Sequence, residues 1–173
     1  MDKVAVFGTT DGGSIPSRGT LFFTYYSTIM FYQKISTSSY IIRIKRGEMV
    51  IATIDKFCRK KKIKNAFFYG IGALDKFTLA NYNVDKQKYL DKKFTGAFEL
   101  ANITGNVFDS KEALIIHSHA VLSDEKMKPV AGHFVDGRVS GTVELYFQKL
   151  NSKIIKKFDK ETGLKLAVLN QKI

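Results

Sequence analysis

Three histidines, His117, His119 and His133, are all the imidazole in this chain of 173 residues, and they fall within one seventeen-residue window. Imidazole titrates near neutrality and is the commonest protein ligand for transition metals, so this concentration is the first candidate for chemistry. The stretch "ALIIHSHAVLSD" sets His117 and His119 two positions apart inside an apolar run. If that run is a strand, the two side chains share a face with Cβ atoms about 7 Å apart, and both can reach one ion. His133, in "AGHF", is the candidate third ligand, returned beside the strand by "LSDEKMKPVAG" read as a loop. Three histidines with a fourth position open is an arrangement typical of zinc. A single strand histidine is more often hydrogen-bonded than ligating. The joint placement sets this stretch apart, because two same-face imidazoles in an apolar strand need polar partners.

Carboxylates extend the list. Glu99, in "GAFELANITG", and Glu144, in "GTVELYF", read as strand residues that either orient a histidine from behind or simply face solvent. With Asp124 they are also the candidate general acids and bases, should a metal at the histidines lower the pKa of water to about 7 and support hydrolysis or hydration. Cys58 falls on the apolar face of a predicted helix, where a small buried hydrophobe is expected rather than a nucleophile. The serines of "GRVSG" and "HSH" lack the strained turn of a nucleophile elbow. "GIGAL" is too short for a dinucleotide fingerprint, and no Walker pattern occurs.

The elements that must position these residues are mostly strands. "GEMVIATIDKFCRKKKI" carries Val50, Ile51, Ile54, Phe57 and Cys58 at the spacing of one helical face and is the one convincing helix. "YIIRIKRGE" before it reads as a strand, as does "NAFFYGIGAL" after it, where Gly70 and Gly72 mark a close approach or a bend. "KFTLANYN", "KKFTGAFELANITGNVF", "EALIIHSHAVL", "GRVSGTVELYFQKL" and "SKIIKKFD" follow as β-branched and aromatic segments between turn residues. Many short strands with one helix predict an α+β fold, its antiparallel sheet packed around that main helix. Residues 1–38, with "GTTDGGSIPSRGT" and an aromatic stretch of no clean period, read as a weakly structured extension, and 39–173 as the domain with a C-terminal tail. Met30, close to where the ordered pattern starts, is a second candidate start of translation.

A formal net charge of +12, almost all of it lysine, fits weak attraction to nucleic acid but specifies no partner. The dense run "CRKKKIK" reads as a solvated helix end sooner than as a nucleic-acid patch. One cysteine rules out an intrachain disulfide and, with no export signal evident in "LFFTYYSTIMFY", predicts a cytoplasmic setting. No apolar stretch reaches the roughly 20 residues of a membrane helix.

Taken in order, "GEMVIATIDKFCRKKKIKNAFFYGIGALDKFTLANYN", "FTGAFELANITGNV", "IIHSHAVLSD", "AGHFVDGRVSGTVELYF" and "KKFDKETGLKL" resemble the plant and prokaryote conserved domain, the PCC or PPC domain, over about residues 40–166. The closing Asp159 to Leu164 resembles its stand-alone prokaryotic branch. The resemblance implies a homotrimer and, in prokaryotic members with the histidine motif, a metal on the positions that match His117, His119 and His133. In plants the domain follows an Arg-Gly-Arg-Pro hook that enters the DNA minor groove, and these 173 residues contain no such element. Three functions are therefore expected to compete. The first is a trimeric, zinc-binding regulatory module with weak, nonspecific DNA contact. The second is a metal-dependent lyase or hydrolase acting on a small molecule. In the third, the metal only fixes the trimer.

Overall fold

A computed structural model describes residues 30–110, 112–169 and 171. Strands β1 (Met30–Lys34) and β2 (Ser39–Lys45) form a hairpin ahead of helix α1 (Val50–Lys61). Six strands follow: β3 (Ala66–Asn83), β4 (Lys88–Asp109), β5 (Leu114–Ser123), β6 (Pro129–Lys149), β7 (Ile155–Phe158) and β8 (Lys165–Val168). The sheet runs β1-β2-β6-β3-β4-β7-β8, with β5 pairing both β4 and β6. Every pairing is antiparallel except the short β4–β7 contact at Asp109 and Ile155. Because β3 and β5 each pair with both β4 and β6, these four strands close a hydrogen-bonded circuit, and the histidines lie on it.

The α+β expectation holds, with one helix on a large sheet. Val50, Ile54, Phe57 and Cys58 are fully buried against Ile42, Ile44, Val143, Leu145 and Phe147 of the sheet, whose strands alternate inward and outward residues as an amphipathic sheet must. The helix starts without a side-chain cap of its own at Met49. Asp136 of β6 supplies one instead, accepting the Ile51 N–H at 2.9 Å, so the sheet and the helix start are tied together. Lys62 ends the helix in a left-handed turn, φ 54°, donating its N–H to the Arg59 carbonyl. The basic run there is a helix end: Arg59 pairs with Asp55 at 2.7 Å, Lys61 donates to the Tyr32 hydroxyl at 2.6 Å and Lys64 meets Asp109 at 2.9 Å. Cys58 is inert, its thiol pushed up to about 12 by burial.

Two expectations about the strands need correction. The segments read as many short strands fuse into long ones: "NAFFYGIGAL" and "KFTLANYN" are the single 18-residue β3, kept continuous by register shifts at Gly70/Gly72 and Leu74/Lys76. These glycines do allow a close approach, since a Cβ on Gly70 would strike the Glu144 carbonyl and one on Gly72 the Thr142 carbonyl. The second correction concerns the start of order. Residues 1–29 lie outside the described residues, but Met30–Lys34, placed by sequence in a weakly structured extension, is a paired strand. Its partner in register is β2, and Tyr32 packs on Tyr40 and Phe57, contacts that no periodicity in five residues could announce.

Candidate metal centre

Strand β5 presents His117 and His119 to one face, as the alternation of a strand requires. The segment expected to be a loop before His133 is instead a tight hairpin turn at 124–128. Asp124 builds it, its Oδ1 accepting the N–H groups of Lys126 and Lys128 at 2.9 Å each, while Met127 takes a positive φ of 59°. Pro129 to Gly132 already belong to β6, so His133 pairs directly across from His119. The three rings stand 5.2, 5.2 and 5.6 Å apart by their centroids, and one nitrogen from each lies within 4.8 Å of the other two.

Four-coordinate zinc with bonds of about 2.0–2.1 Å places its nitrogens about 3.4 Å apart. The nitrogens here lie within 4.8 Å of one another, at most about 1.4 Å wider than that spacing. Protonation also fits a metal. Burial first, then the positive charge of Lys156 and of the neighbouring histidines, holds His117 down at about 4, and burial likewise lowers His133. Both rings are therefore neutral near pH 7 and offer lone pairs. A further sign is the Asn106 side-chain oxygen, which is buried without a hydrogen-bond partner among the described residues. Asn106 sits opposite His117 in the β4–β5 register, so an imidazole N–H turned toward it would satisfy the amide and aim the other ring nitrogen outward. The donor set suits a divalent ion of zinc type.

The carboxylates singled out by sequence lie elsewhere. Glu99 and Glu144 line a separate cavity of about 520 Å³ beside Gly72 and Thr142, and Asp124 is occupied in its turn. Sequence reasoning missed four groups that do surround the histidines. Tyr89 lies 5.1 Å from the His133 ring, the charge of Asp91 acts on His133, Asn106 faces His117, and Lys156 arrives from β7. Only the register could have found Asp91, since Ala80 of β3 pairs with it on one side and with His133 on the other.

A sheet circuit with one packed helix and a surface cluster of three imidazoles defines a small α+β binding domain. The profile of the Plants and Prokaryotes Conserved (PCC) domain matches residues 33–151, and the chain belongs to that family. No curated protein matches the chain. Among solved structures, a candidate DNA-binding protein from Bacteroides thetaiotaomicron is 27% identical, with TM-score 0.77 over 80% of this chain and 96% of its own. A plant- and prokaryote-conserved protein from Pyrococcus horikoshii is also 27% identical, with TM-score 0.72 over 85% and 99%. A candidate DNA-binding protein from Ralstonia eutropha, 23% identical with TM-score 0.74 over 80% and 96%, shares the fold.

Proposed function

We propose that this protein is a PCC-domain module that holds one divalent ion, zinc by its donor chemistry, on His117, His119 and His133. It assembles as a homotrimer and serves a regulatory, DNA-associated role in the cytoplasm. One observation carries the metal: three imidazoles from two strands converge within 4.8 Å, in a chain that has no other histidine. The trimer is supported by an aromatic and aliphatic row on the sheet face away from α1. Phe67, Tyr69 and Ile71 are 47%, 56% and 61% exposed, and Tyr69 stacks on Tyr146 at 5.2 Å.

The DNA role is supported by the +12 charge and by the description of the relative from Bacteroides thetaiotaomicron. With no groove-reading element identified, contact should be made through phosphates alone. Unrelated duplexes should then be retained equally near 50 mM salt, with affinity falling about a thousandfold by 200 mM if six or more phosphates are engaged. Affinities that differ between sequences at fixed salt would overturn the nonspecific form, and no retention at low salt would remove DNA from the reading.

Lyase or hydrolase chemistry on a small molecule has one observation in its favour. His119 is exposed whereas His117 and His133 are half-buried, which leaves the cluster an approach from solvent. A bound divalent ion would supply Lewis acidity there. With Glu99, Glu144 and Asp124 elsewhere, proton transfer in such a reaction would fall to Asp91, Tyr89 or Lys156.

A further inference from the structure

The β3–β4 hairpin continues past Ala80, which pairs with His133, to an end that the turn between β7 and β8 clamps. Tyr82 donates its hydroxyl to the Thr162 carbonyl at 2.7 Å, and the Gln87 amide donates to the carbonyls of Lys160 and Glu161 at 3.0 and 3.3 Å. Asp159 shapes that turn, its Oδ2 accepting the Thr162 N–H at 2.9 Å and the Thr162 hydroxyl at 2.6 Å. Tyr82 and Tyr89 pair directly across the hairpin with their rings 4.6 Å apart, and the Tyr89 ring in turn lies 5.1 Å from that of His133. A line of contacts thus runs from Thr162 through Tyr82 and Tyr89 to the third histidine.

We propose that Tyr89 is the positioning residue for His133 and that the turn at 159–163 sets it, so that a turn remote from the ligand in sequence governs how tightly the ion is held. The inference rests on the metal reading above. His117 has the Asn106 amide opposite it to orient its ring, whereas the group packed on His133 is the Tyr89 ring, tilted by 41°. Ring packing narrows the rotations open to an imidazole, and a ligand already held in place loses less freedom when it binds. β7 pairs with the main sheet at one position, Asp109 with Ile155, so the turn can be disturbed without unseating the core.

The test is calorimetric titration of the full chain with zinc, with the His133 imidazole resonances followed by NMR and folding by circular dichroism. Tyr89→Ala should weaken zinc about tenfold or more, the range typical of groups that orient a ligand, and Tyr89→Phe should stay within about threefold of wild type. Gly163→Val places a Cβ against the Tyr82 hydroxyl and the Gln87 amide. It should weaken zinc about threefold or more and shift the His133 resonances, yet change neither further when residue 89 is already alanine. Tyr89→Thr, which keeps the strand preference, replaces Tyr89→Ala should that variant not fold. Equal zinc affinity in wild type and the folded truncated variant would overturn the inference. So would a Tyr89→Phe protein as weak as Tyr89→Ala, since the effect would then belong to the hydroxyl. Undiminished affinity in Gly163→Val, or losses that add to those of Tyr89→Ala, would overturn the role of the turn. A wild-type chain that takes up no zinc would overturn the metal reading and this inference together.

Discussion

Replacing His117 with alanine should abolish stoichiometric metal binding while leaving the subunit folded. His117 is the geometric hinge of the cluster, its ring 5.2 Å from each of the other two. Burial, with the charge of Lys156, also holds it in the neutral, ligating form, its pKa at about 4. Removing a residue that merely orients a ligand typically costs 10–100-fold in affinity, so loss of a ligand itself should cost about a hundredfold or more. The fold should survive because β5 is held by backbone pairing to β4 and β6, which alanine does not disturb. Calorimetric titration with zinc, alongside far-ultraviolet circular dichroism, separates the two effects. Undiminished zinc affinity in a folded His117→Ala protein would show that these histidines are not the site.

The second large effect concerns stability. Phe57 is fully buried and packs edge-on or tilted against Tyr32, Tyr40 and Phe147, at ring separations of 5.5, 5.3 and 5.3 Å. One side chain thus joins the helix, the β1–β2 hairpin and the central strand β6. Phe57→Ala should destabilise the protein by about 3–5 kcal/mol, the sum of lost transfer energy and the cavity left behind. Against a typical total of about 5–15 kcal/mol that is a large share, and it should lower the melting temperature by about 6–20 °C. Urea denaturation measures it directly. A loss below about 1 kcal/mol would mean that α1 is not packed on the sheet as described.

The helix and the strand character of the chain were legible because both rest on local periodicity. Val50, Ile54, Phe57 and Cys58 line up at helical spacing, and "EALIIHSHAVL" carries the β-branched, apolar content of a strand. What periodicity could not reveal was continuity. Nothing local distinguishes two strands separated by Asp75 from one strand bent by bulges, because the shift at Leu74/Lys76 is set by partner strands far away in sequence. The same limit divides the site. The three histidines declare themselves by rarity and spacing, whereas Asn106 and Asp91 are brought to them by register alone. Glu99 and Glu144 were reasonable candidates by residue type, but β4 and β6 carry them to a cavity of their own. Helix capping shows the pattern once more: the acceptor for the Ile51 N–H is Asp136, 85 positions along the chain.

The most direct test of the metal site is elemental analysis of protein purified without an affinity tag, combined with its mass in solution. The predicted result is one divalent ion per chain, zinc foremost, in a particle of three chains. Protein that carries no metal, and acquires none when dialysed against zinc, would contradict the central claim whatever its oligomeric state.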